Sequence, residues 1–268
     1  MSIQVGAAIA TTLFDEVGPG GAVFLRIFFA AVVLMALWRP ALRVPEAGAK
    51  DVLALGVLLG VMNLTFYEAL DRIPLGIAVT LEFIGPLTVA VVGSRRRRDL
   101  LWVGLAAAGL ILLAPVPGSD LDALGCAFAL FAGACWGLYI VVTARVGRAL
   151  PGGSGLAIAM AIAAVVTLPF GLADGAGDLL DGELLLIAFG VAILSSAVPY
   201  SLELEALRRL PQSTFGVLMS VEPAVAAMAG LILLGQDLEA REVVAITLVL
   251  TASAGALSAA GRASPQPP

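Results

Sequence analysis

Apolar segments that could cross a lipid bilayer follow one another along almost the whole chain, with short loops between them. A bilayer-crossing helix needs about 20 mostly apolar residues. The loop signals predict ten such segments, at residues 3–14, 20–38, 51–70, 75–94, 100–115, 122–143, 154–172, 184–204, 212–234 and 242–260. We therefore expect an all-α integral membrane protein with ten transmembrane helices.

The two ends of the chain depart from this pattern. Residues 3–14 would form only about 18 Å of helix at about 1.5 Å per residue. A short distorted helix and a translation start upstream of Met1 both explain this, and we favour the upstream start. Residues 262–268 are polar and rich in proline, and we expect them to form a disordered tail.

The composition excludes a soluble domain. Hydrophobic residues make up 60% of the 268 and charged residues only 13%, whereas a soluble domain carries about 25% charge. There is no histidine, which excludes histidine-ligated zinc and Ser-His catalysis. The two cysteines, Cys126 and Cys135, share one apolar segment and are expected to be small core residues. We expect no metal, no cofactor and no nucleic-acid partner, since the basic residues are split among short loops.

Basic residues lie predominantly on one side of the predicted membrane. When the loops are assigned to alternating sides, twelve of the fifteen Lys and Arg residues share one side, and only Arg72 and Arg241 lie on the other. The positive-inside rule places the richer side in the cytoplasm. We therefore expect a multi-pass protein of the cell's inner (plasma) membrane with both termini in the cytoplasm.

The chain contains an internal repeat. The segment EALDRIPLGIAVTLEFIGPLTVAVVG (68–93) aligns without a gap on EALRRLPQSTFGVLMSVEPAVAAMAG (205–230), and both carry two prolines twelve residues apart. Glu68 ends its predicted span outside and Glu205 ends its span inside, so the halves have opposite topology, as in many secondary transporters. We expect two five-helix inverted-topology repeats, residues 1–116 and 121–261. The alternative is a chance match between low-complexity helices.

Several motifs resemble a known family. The stretches SIQVGAAIATTLF, LEFIGPL, GACWGLYIV and VPYSLELEALRRLP resemble the threonine/homoserine exporters of the EamA group, in the drug/metabolite transporter superfamily. The resemblance covers nearly the whole chain. It implies ten helices in two inverted halves and efflux of small amino acids driven by proton entry. Family members carry further residues before the match to SIQ.

Two glutamates lie within predicted spans, where a charged carboxylate costs about 2.5–3.5 kcal/mol on insertion scales. Glu82 lies about 11 Å below the outer end of its span, and Glu222 about 15 Å from the inner end of its own. Pro86 follows Glu82 by one turn and Pro223 adjoins Glu222, and a proline bends a helix and frees a carbonyl. We rank Glu222 first for proton coupling and Glu82 first for the cavity wall and gate. A structural carboxylate is the alternative for both.

Other polar and aromatic residues within spans are candidates for the wall of a substrate cavity. Arg26 would pair with a buried carboxylate, hold a substrate carboxylate, or snorkel to the outer end of its span about 9 Å away. The remaining candidates fall on shared helix faces by their spacing: Asn63 with Tyr67; Trp136 with Tyr139; and Ser196, Tyr200 and Glu203, with Pro199 in the bend. An interfacial belt is the alternative for the aromatics. Solvation near a span end is the simpler expectation for Glu203.

These features predict a secondary transporter that exports small amino acids resembling threonine or homoserine, coupled to protons, by alternating access. A broader drug or metabolite exporter, or an importer of the same fold, is the runner-up. An intramembrane enzyme would need an activated nucleophile, which a chain without histidine and without a lysine in any span does not offer. A structural subunit would leave the repeat and the midspan acids unexplained. A homodimer is compatible with the transporter hypotheses.

Overall fold

The computed structural model describes residues 6, 9–10, 13–40, 46–73, 75–93, 97–113, 122–175, 181–219 and 240–261, and within these ranges it contains helices and no strand. The helices are α1 Phe14–Trp38, α2 Glu46–Leu70, α3 Leu75–Glu82, α4 Ile84–Gly93, α5 Arg97–Leu113, α6 Ala123–Ala149, α7 Ser154–Gly175, α8 Gly182–Ala192, α9 Val198–Arg209, α10 Gln212–Met219 and α11 Ala240–Gly261. A five-residue π-helical turn, Ile193–Ala197, joins α8 to α9. Each of these helices overlaps one of the predicted apolar segments.

Five helical segments of the described chain are long and apolar enough to cross a membrane: Glu16–Trp38, Gly48–Leu70, Ala123–Ala149, Ser154–Asp174 and Gly182–Arg209. The outside of the bundle carries large apolar side chains that are at least 66% exposed, namely Leu37, Val92, Ile111, Val165, Leu186 and Leu202. Such a surface is stable against lipid tails and would associate in water. The expectation of an all-α integral membrane protein is confirmed.

Helix α1 bends sharply near its start. Gly18 adopts φ +64° and ψ 172°, outside the helical region, and Pro19 then restarts the helix, which suits a residue without a backbone N–H. The N–H of Gly20, left without a helical partner by the break, donates to Asp174 Oδ2 of α7 at 2.9 Å. The sequence predicts that one segment ends at residue 14 and the next begins at residue 20. The structure instead has a single helical segment with a kink at Gly18.

Two further interruptions lie close to prolines. Helix α3 ends at Glu82 and α4 begins at Ile84, with Phe83 between them. The buried Pro86 lies in the first turn of α4, where its missing N–H removes one bond from the ladder. The π-helical turn ends just before Pro199, and there the Val198 N–H donates to the Ile193 carbonyl. Such π turns occur often at functional sites.

Three of the helix pairs that pack together join segments that the predicted repeat relates. Helix α1 packs on α7, α4 on α10, and α5 on α11. These pairs correspond to the second and seventh, the fourth and ninth, and the fifth and tenth predicted segments. Helix α2 packs on α6 and α7 in the interior.

Glycines bring α4 very close to α6. A Cβ atom built on Gly85 would lie 1.8 Å from the Gly133 carbonyl oxygen, and one on Gly133 would lie 2.6 Å from the Glu82 carbonyl oxygen. Small residues allow this approach between membrane helices. The crossing fixes the break between α3 and α4 against the middle of α6.

Arg208, near the end of α9, ties that helix to the end of α6. Its Nε donates to the Gly147 carbonyl at 2.8 Å, and its Nη2 donates to the Leu150 carbonyl at 2.8 Å and to the Gly152 carbonyl. Gly147 and Leu150 belong to the last turn and the cap of α6, where carbonyls lack helical donors. A cation there also complements the negative end of the helix dipole.

Replacing Arg208 with methionine is expected to destabilise the protein by about 1–3 kcal/mol, because three half-buried carbonyls lose a charged donor. The measurement is the midpoint of thermal unfolding of the purified protein in detergent. Arg209→Met is the matched control, since Arg209 is 74% exposed and pairs only with Glu205 in the described chain. Equal shifts for the two variants would contradict this assignment.

Candidate functional site

Three helices contribute a hydrogen-bonded group of buried polar side chains in the interior of the bundle. Arg26 of α1 donates from Nη2 to the Asn63 side-chain oxygen of α2. Asn63 Nδ2 donates to the Leu59 carbonyl at 2.7 Å, and the Tyr200 hydroxyl of α9 lies 3.1 Å from Nδ2 and 3.2 Å from Oδ1. Arg26 therefore does not snorkel to the membrane surface. Asn63 is the residue that links the two halves of the chain at this point.

Tyr67 extends this group toward the start of α1. The Arg26 guanidinium carbon lies 4.8 Å from the centre of the Tyr67 ring, a distance typical of a cation–π contact. On the other side, the Tyr67 and Phe14 rings are 5.4 Å apart. The Tyr67 hydroxyl is buried and has no hydrogen-bond partner in the described part of the chain. Tyr67 is 1% exposed, so its ring packs against neighbouring side chains and does not face lipid.

Tyr139 and Glu203 form a second polar contact beside the first. The Tyr139 hydroxyl of α6 donates to Glu203 Oε2 of α9 at 2.9 Å, and the Tyr139 and Tyr200 rings are 5.8 Å apart. The expectation that Glu203 is solvated was wrong, because its side chain is buried between α6 and α9. By contrast, Glu68 pairs with Arg72 and Glu205 with Arg208 and Arg209 at the surface.

Glu82 ends α3 in a buried position, next to an aromatic contact that the sequence did not indicate. Phe83, in the break between α3 and α4, meets Trp136 of α6 edge to face with ring centres 4.9 Å apart. The glycine crossing described above holds this break against α6. Phe83 is apolar and has no sequence signal of its own, so only the path of the broken helix reveals its role.

Tyr200 connects the two polar contacts. Its hydroxyl bonds to the Asn63 amide that accepts from Arg26, and its ring lies beside that of Tyr139, which donates to Glu203. One cation and one carboxylate, with an asparagine and three tyrosines, thus lie in one continuous series of buried contacts. Within the described residues, no group of three potential metal ligands occurs.

The π-helical turn adds two serines. Ser195 and Ser196 are buried, and neither hydroxyl has a hydrogen-bond partner within the described ranges. Ser195 lies against Gly6, where an added Cβ atom would come within 1.7 Å of its Oγ. Of the two, only Ser196 was a sequence candidate for the wall of the cavity. The signal that could have indicated the distortion is Pro199 immediately downstream.

Not all candidates fall in the described region. Glu222 and Pro223 lie outside the described residues. Of the remaining candidates, the structure joins six by direct contact: Arg26, Asn63, Tyr67, Tyr139, Tyr200 and Glu203. Glu82 and Trp136 lie on either side of Phe83, Glu82 as its neighbour in the chain and Trp136 through the ring contact. Pro86 and Pro199 lie beside the two helix interruptions.

A bilayer-spanning helical bundle that buries an arginine and two glutamates together has the polar interior of a membrane transport protein, because charges inside a membrane protein are costly and serve transport pathways. The chain belongs to the EamA-like transporter family, which its residues 123–258 match. The resemblance inferred from the motifs is confirmed.

The curated relatives are exporters. The chain is 44% identical to the threonine/homoserine exporter RhtA of Salmonella typhimurium (strain LT2) over 258 residues, covering 95% of this chain and 87% of that protein. It is 45% identical to the exporter of the same name in Escherichia coli (strain K12), with the same coverage of both chains. The chain therefore belongs with transporters and not with enzymes.

A solved crystal structure of another protein shares the fold. It superposes with a TM-score of 0.75, covering 98% of this chain and 95% of that chain. At 20% sequence identity, this likeness establishes the fold alone.

Proposed function

We propose that this protein is an inner-membrane secondary transporter that exports small amino acids of the threonine and homoserine type. The identity of 44–45% to RhtA exporters over 95% of the chain supports this substrate class. The observation that carries the proposal is the buried series of contacts that runs from Arg26 through Asn63, Tyr200 and Tyr139 to Glu203. A zwitterionic amino acid needs both signs of charge within one small cavity, and this region provides both.

The ten-helix arrangement is part of the proposal. Two five-helix repeats, residues 1–116 and 121–261, with a tail at 262–268, would place the second repeat upside down relative to the first. The packing of α1 on α7, α4 on α10 and α5 on α11 supports this, because repeat mates meet around a two-fold axis. The hydrogen-bonded pair Asn63 and Tyr200 supports it further. These two residues are 137 positions apart, as are Glu68 and Glu205 in the repeat.

The orientation follows from the charges. Twelve of the fifteen basic residues lie on the side of the chain termini when ten spans are assigned, which favours cytoplasmic termini. Under this topology the Asn63–Tyr200 contact would lie near the middle of the membrane, because mates in contact must lie beside the axis that relates them. Substrate sites of inverted-repeat transporters lie at this depth.

The residues would then have distinct roles. Glu222 and Glu82 would bind and release the coupling proton. Glu222 is the first candidate for proton coupling, and Glu82 is the first candidate for the cavity wall and gate. The remaining polar and aromatic candidates would shape the cavity: Arg26, Asn63, Tyr67, Trp136, Tyr139, Ser196, Tyr200 and Glu203. Pro86, Pro199 and Pro223 would provide the bends that let one half move against the other during alternating access.

Proteoliposomes test the function directly. Purified protein is reconstituted, loaded with labelled threonine and given an inward proton gradient, and export is compared with protein-free liposomes. A panel of amino acids, amino-acid analogues and cationic dyes in the same assay separates an amino-acid exporter from a broader drug exporter. Equal threonine flux with and without protein would end the proposal. The mass of the purified protein in detergent decides between monomer and homodimer.

The Glu222→Gln variant is expected to transport threonine at the same rate with and without the gradient, because its side chain cannot release a proton. Glu82→Gln is expected to lower the rate itself. Glu183→Gln, an exposed acid in the first turn of α8, is the matched control and should keep full gradient dependence. Gradient dependence in both Glu222→Gln and Glu82→Gln would exclude these two acids from coupling.

A further inference from the structure

Arg26 is a buried cation whose contacts in the described part of the chain are with uncharged groups. It donates to the Asn63 amide and lies over the Tyr67 ring. None of the ion pairs formed among the described residues includes Arg26. Its Nε–H is buried and likewise has no hydrogen-bond partner there. A charge in such low-dielectric surroundings calls for an anion.

A second donor beside Arg26 is also unused. The Tyr67 hydroxyl belongs to the ring on which the guanidinium stacks, and it has no hydrogen-bond partner in the same described region. Unpartnered buried donors are rare in native proteins and call for an explanation. Here two such donors, the Arg26 Nε–H and the Tyr67 hydroxyl, lie on side chains that stack on each other. One is charged and one is neutral, so together they suit a ligand that accepts hydrogen bonds and carries negative charge.

Neighbouring residues fix the direction of this guanidinium. Asn63 accepts from Nη2 and is itself fixed by the Leu59 carbonyl and the Tyr200 hydroxyl. The Tyr67 ring fixes the plane of the guanidinium from one face. The Nε edge is thus held in place with its donor unused. A planar guanidinium edge matches the two oxygens of a carboxylate.

We propose that Arg26 and Tyr67 form the subsite for the α-carboxylate of the transported molecule. This inference rests on the proposed function and specifies its substrate class, namely α-amino acids with a free carboxylate. The series of contacts from Arg26 through Asn63, Tyr200 and Tyr139 to Glu203 begins with a cation and ends with an anion, which suits a zwitterion. Amides and esters of the same amino acid lack the anion and are rejected.

The competing explanation is an acid of the protein itself that neutralises Arg26. Glu222 and Glu82 are the candidates, since the sequence places both within spans. In that case Arg26 would not bind the substrate carboxylate. Replacing Arg26 would then leave the preference for an amino acid over its amide unchanged. The two explanations therefore predict opposite results for one measurement.

The experiment measures binding of L-threonine and of L-threoninamide to the purified full-length protein in nanodiscs. Threoninamide differs only at the carboxylate. The variants are Arg26→Gln, Arg26→Lys and Tyr67→Phe, with Arg145→Gln as the matched control, because Arg145 is 56% exposed and contacts Asp51 at the surface. Folding of each variant is checked by its thermal unfolding midpoint and its elution as a single species.

Wild type is expected to bind threonine at least about thirtyfold more tightly than threoninamide, as for loss of one partner of a buried charge pair. Arg26→Gln should remove this preference, and Arg26→Lys should keep part of it. Tyr67→Phe should weaken the binding of threonine about three- to tenfold. Arg145→Gln should match wild type. An undiminished preference in Arg26→Gln overturns the inference. Equal binding of the two ligands by wild type overturns it too, even if every variant fails to fold.

Failure of the proposed function has a different signature. Wild-type liposomes would then show no threonine flux. The anion subsite is tested separately by stabilisation of the protein against heat by simple carboxylates such as 3-hydroxybutyrate. Stabilisation that Arg26→Gln abolishes supports the subsite whatever the transported molecule is, and stabilisation that survives in Arg26→Gln overturns it.

Discussion

Replacing Asn63 with leucine is expected to reduce threonine export by a factor of about 30 or more and to lower the free energy of unfolding by about 2–5 kcal/mol. Leucine has the same branched side-chain skeleton as asparagine, so it keeps the overall shape of the side chain. It accepts no hydrogen bond, however, and so it leaves the Arg26 Nη2 and the Tyr200 hydroxyl buried without their present partner. The initial rate of threonine export from proteoliposomes and the thermal unfolding midpoint measure the two effects.

Two further variants separate the structural role of Asn63 from its role in transport. Asn63→Asp keeps an acceptor for Arg26 and Tyr200 but supplies a permanent counter-ion to Arg26. We expect this variant to fold with some loss of stability, because aspartate cannot donate to the Leu59 carbonyl as Asn63 Nδ2 does. We expect it to lose threonine binding, because the introduced carboxylate takes the place proposed for that of the substrate. Tyr200→Phe combined with Asn63→Leu should show a coupling free energy of about 1–3 kcal/mol relative to the single changes.

Thr65→Val is the control on the same helix. The Thr65 hydroxyl donates only to carbonyls of its own helix, those of Val61 at 2.9 Å and Met62 at 3.1 Å. Its loss should leave export and stability near wild type. If Asn63→Leu also exports threonine at the wild-type rate, Asn63 has no part in the site. If the Asn63→Asp variant folds and still binds threonine, this result would contradict the proposal that Arg26 has no counter-ion in the wild-type protein.

The positions of the helices could be predicted from the sequence because lipid imposes one rule on every segment. Each crossing needs a long apolar run, so the ends of α2 and α7 follow from where those runs stop. The same rule identifies Arg26 and Glu82 as costly exceptions in apolar surroundings. A polar residue within a span is conspicuous whatever its contacts turn out to be.

The contacts between these residues could not be predicted, because they depend on which helix faces meet. Asn63 and Tyr200 are 137 positions apart, and the repeat relates them as equivalent positions without stating that equivalents touch. The burial of Glu203 results from the approach of α9 to α6, where Tyr139 supplies a donor. The π-helical turn before Pro199 shifts the register of α9, so α-helical spacing alone misplaces the faces beyond it.

The close crossing of α4 and α6 could not be predicted from the sequence either. Thirty glycines occur in this chain, and most are compatible with any interior helix position. Only the backbone path shows that Gly85 and Gly133 face each other at the break after Glu82. The effect of adding a single methyl group there is correspondingly large.

Gly85→Ala is expected to lower the free energy of unfolding by about 3 kcal/mol, the upper end of the usual cost of overpacking. The added Cβ would lie 1.8 Å from the Gly133 carbonyl oxygen and 2.7 Å from its carbonyl carbon. Both are backbone atoms, so no side-chain rotation relieves the clash and the two helices must separate. The measurements are the thermal unfolding midpoint in detergent and the fraction of protein that elutes as a single species.

Separation of α4 from α6 would also change the site. Phe83 would withdraw from Trp136, and the end of α3 that carries Glu82 would move with it, so threonine export should fall together with stability. Gly104→Ala is the matched control, because among the described residues no atom beyond the adjoining turns of α5 lies within 4 Å of a Cβ built on Gly104. Alanine there should stabilise the helix by up to about 1 kcal/mol. Equal stability of Gly85→Ala and Gly104→Ala would contradict the close crossing of α4 and α6. It would also contradict the position of Glu82 beside α6, which depends on that crossing.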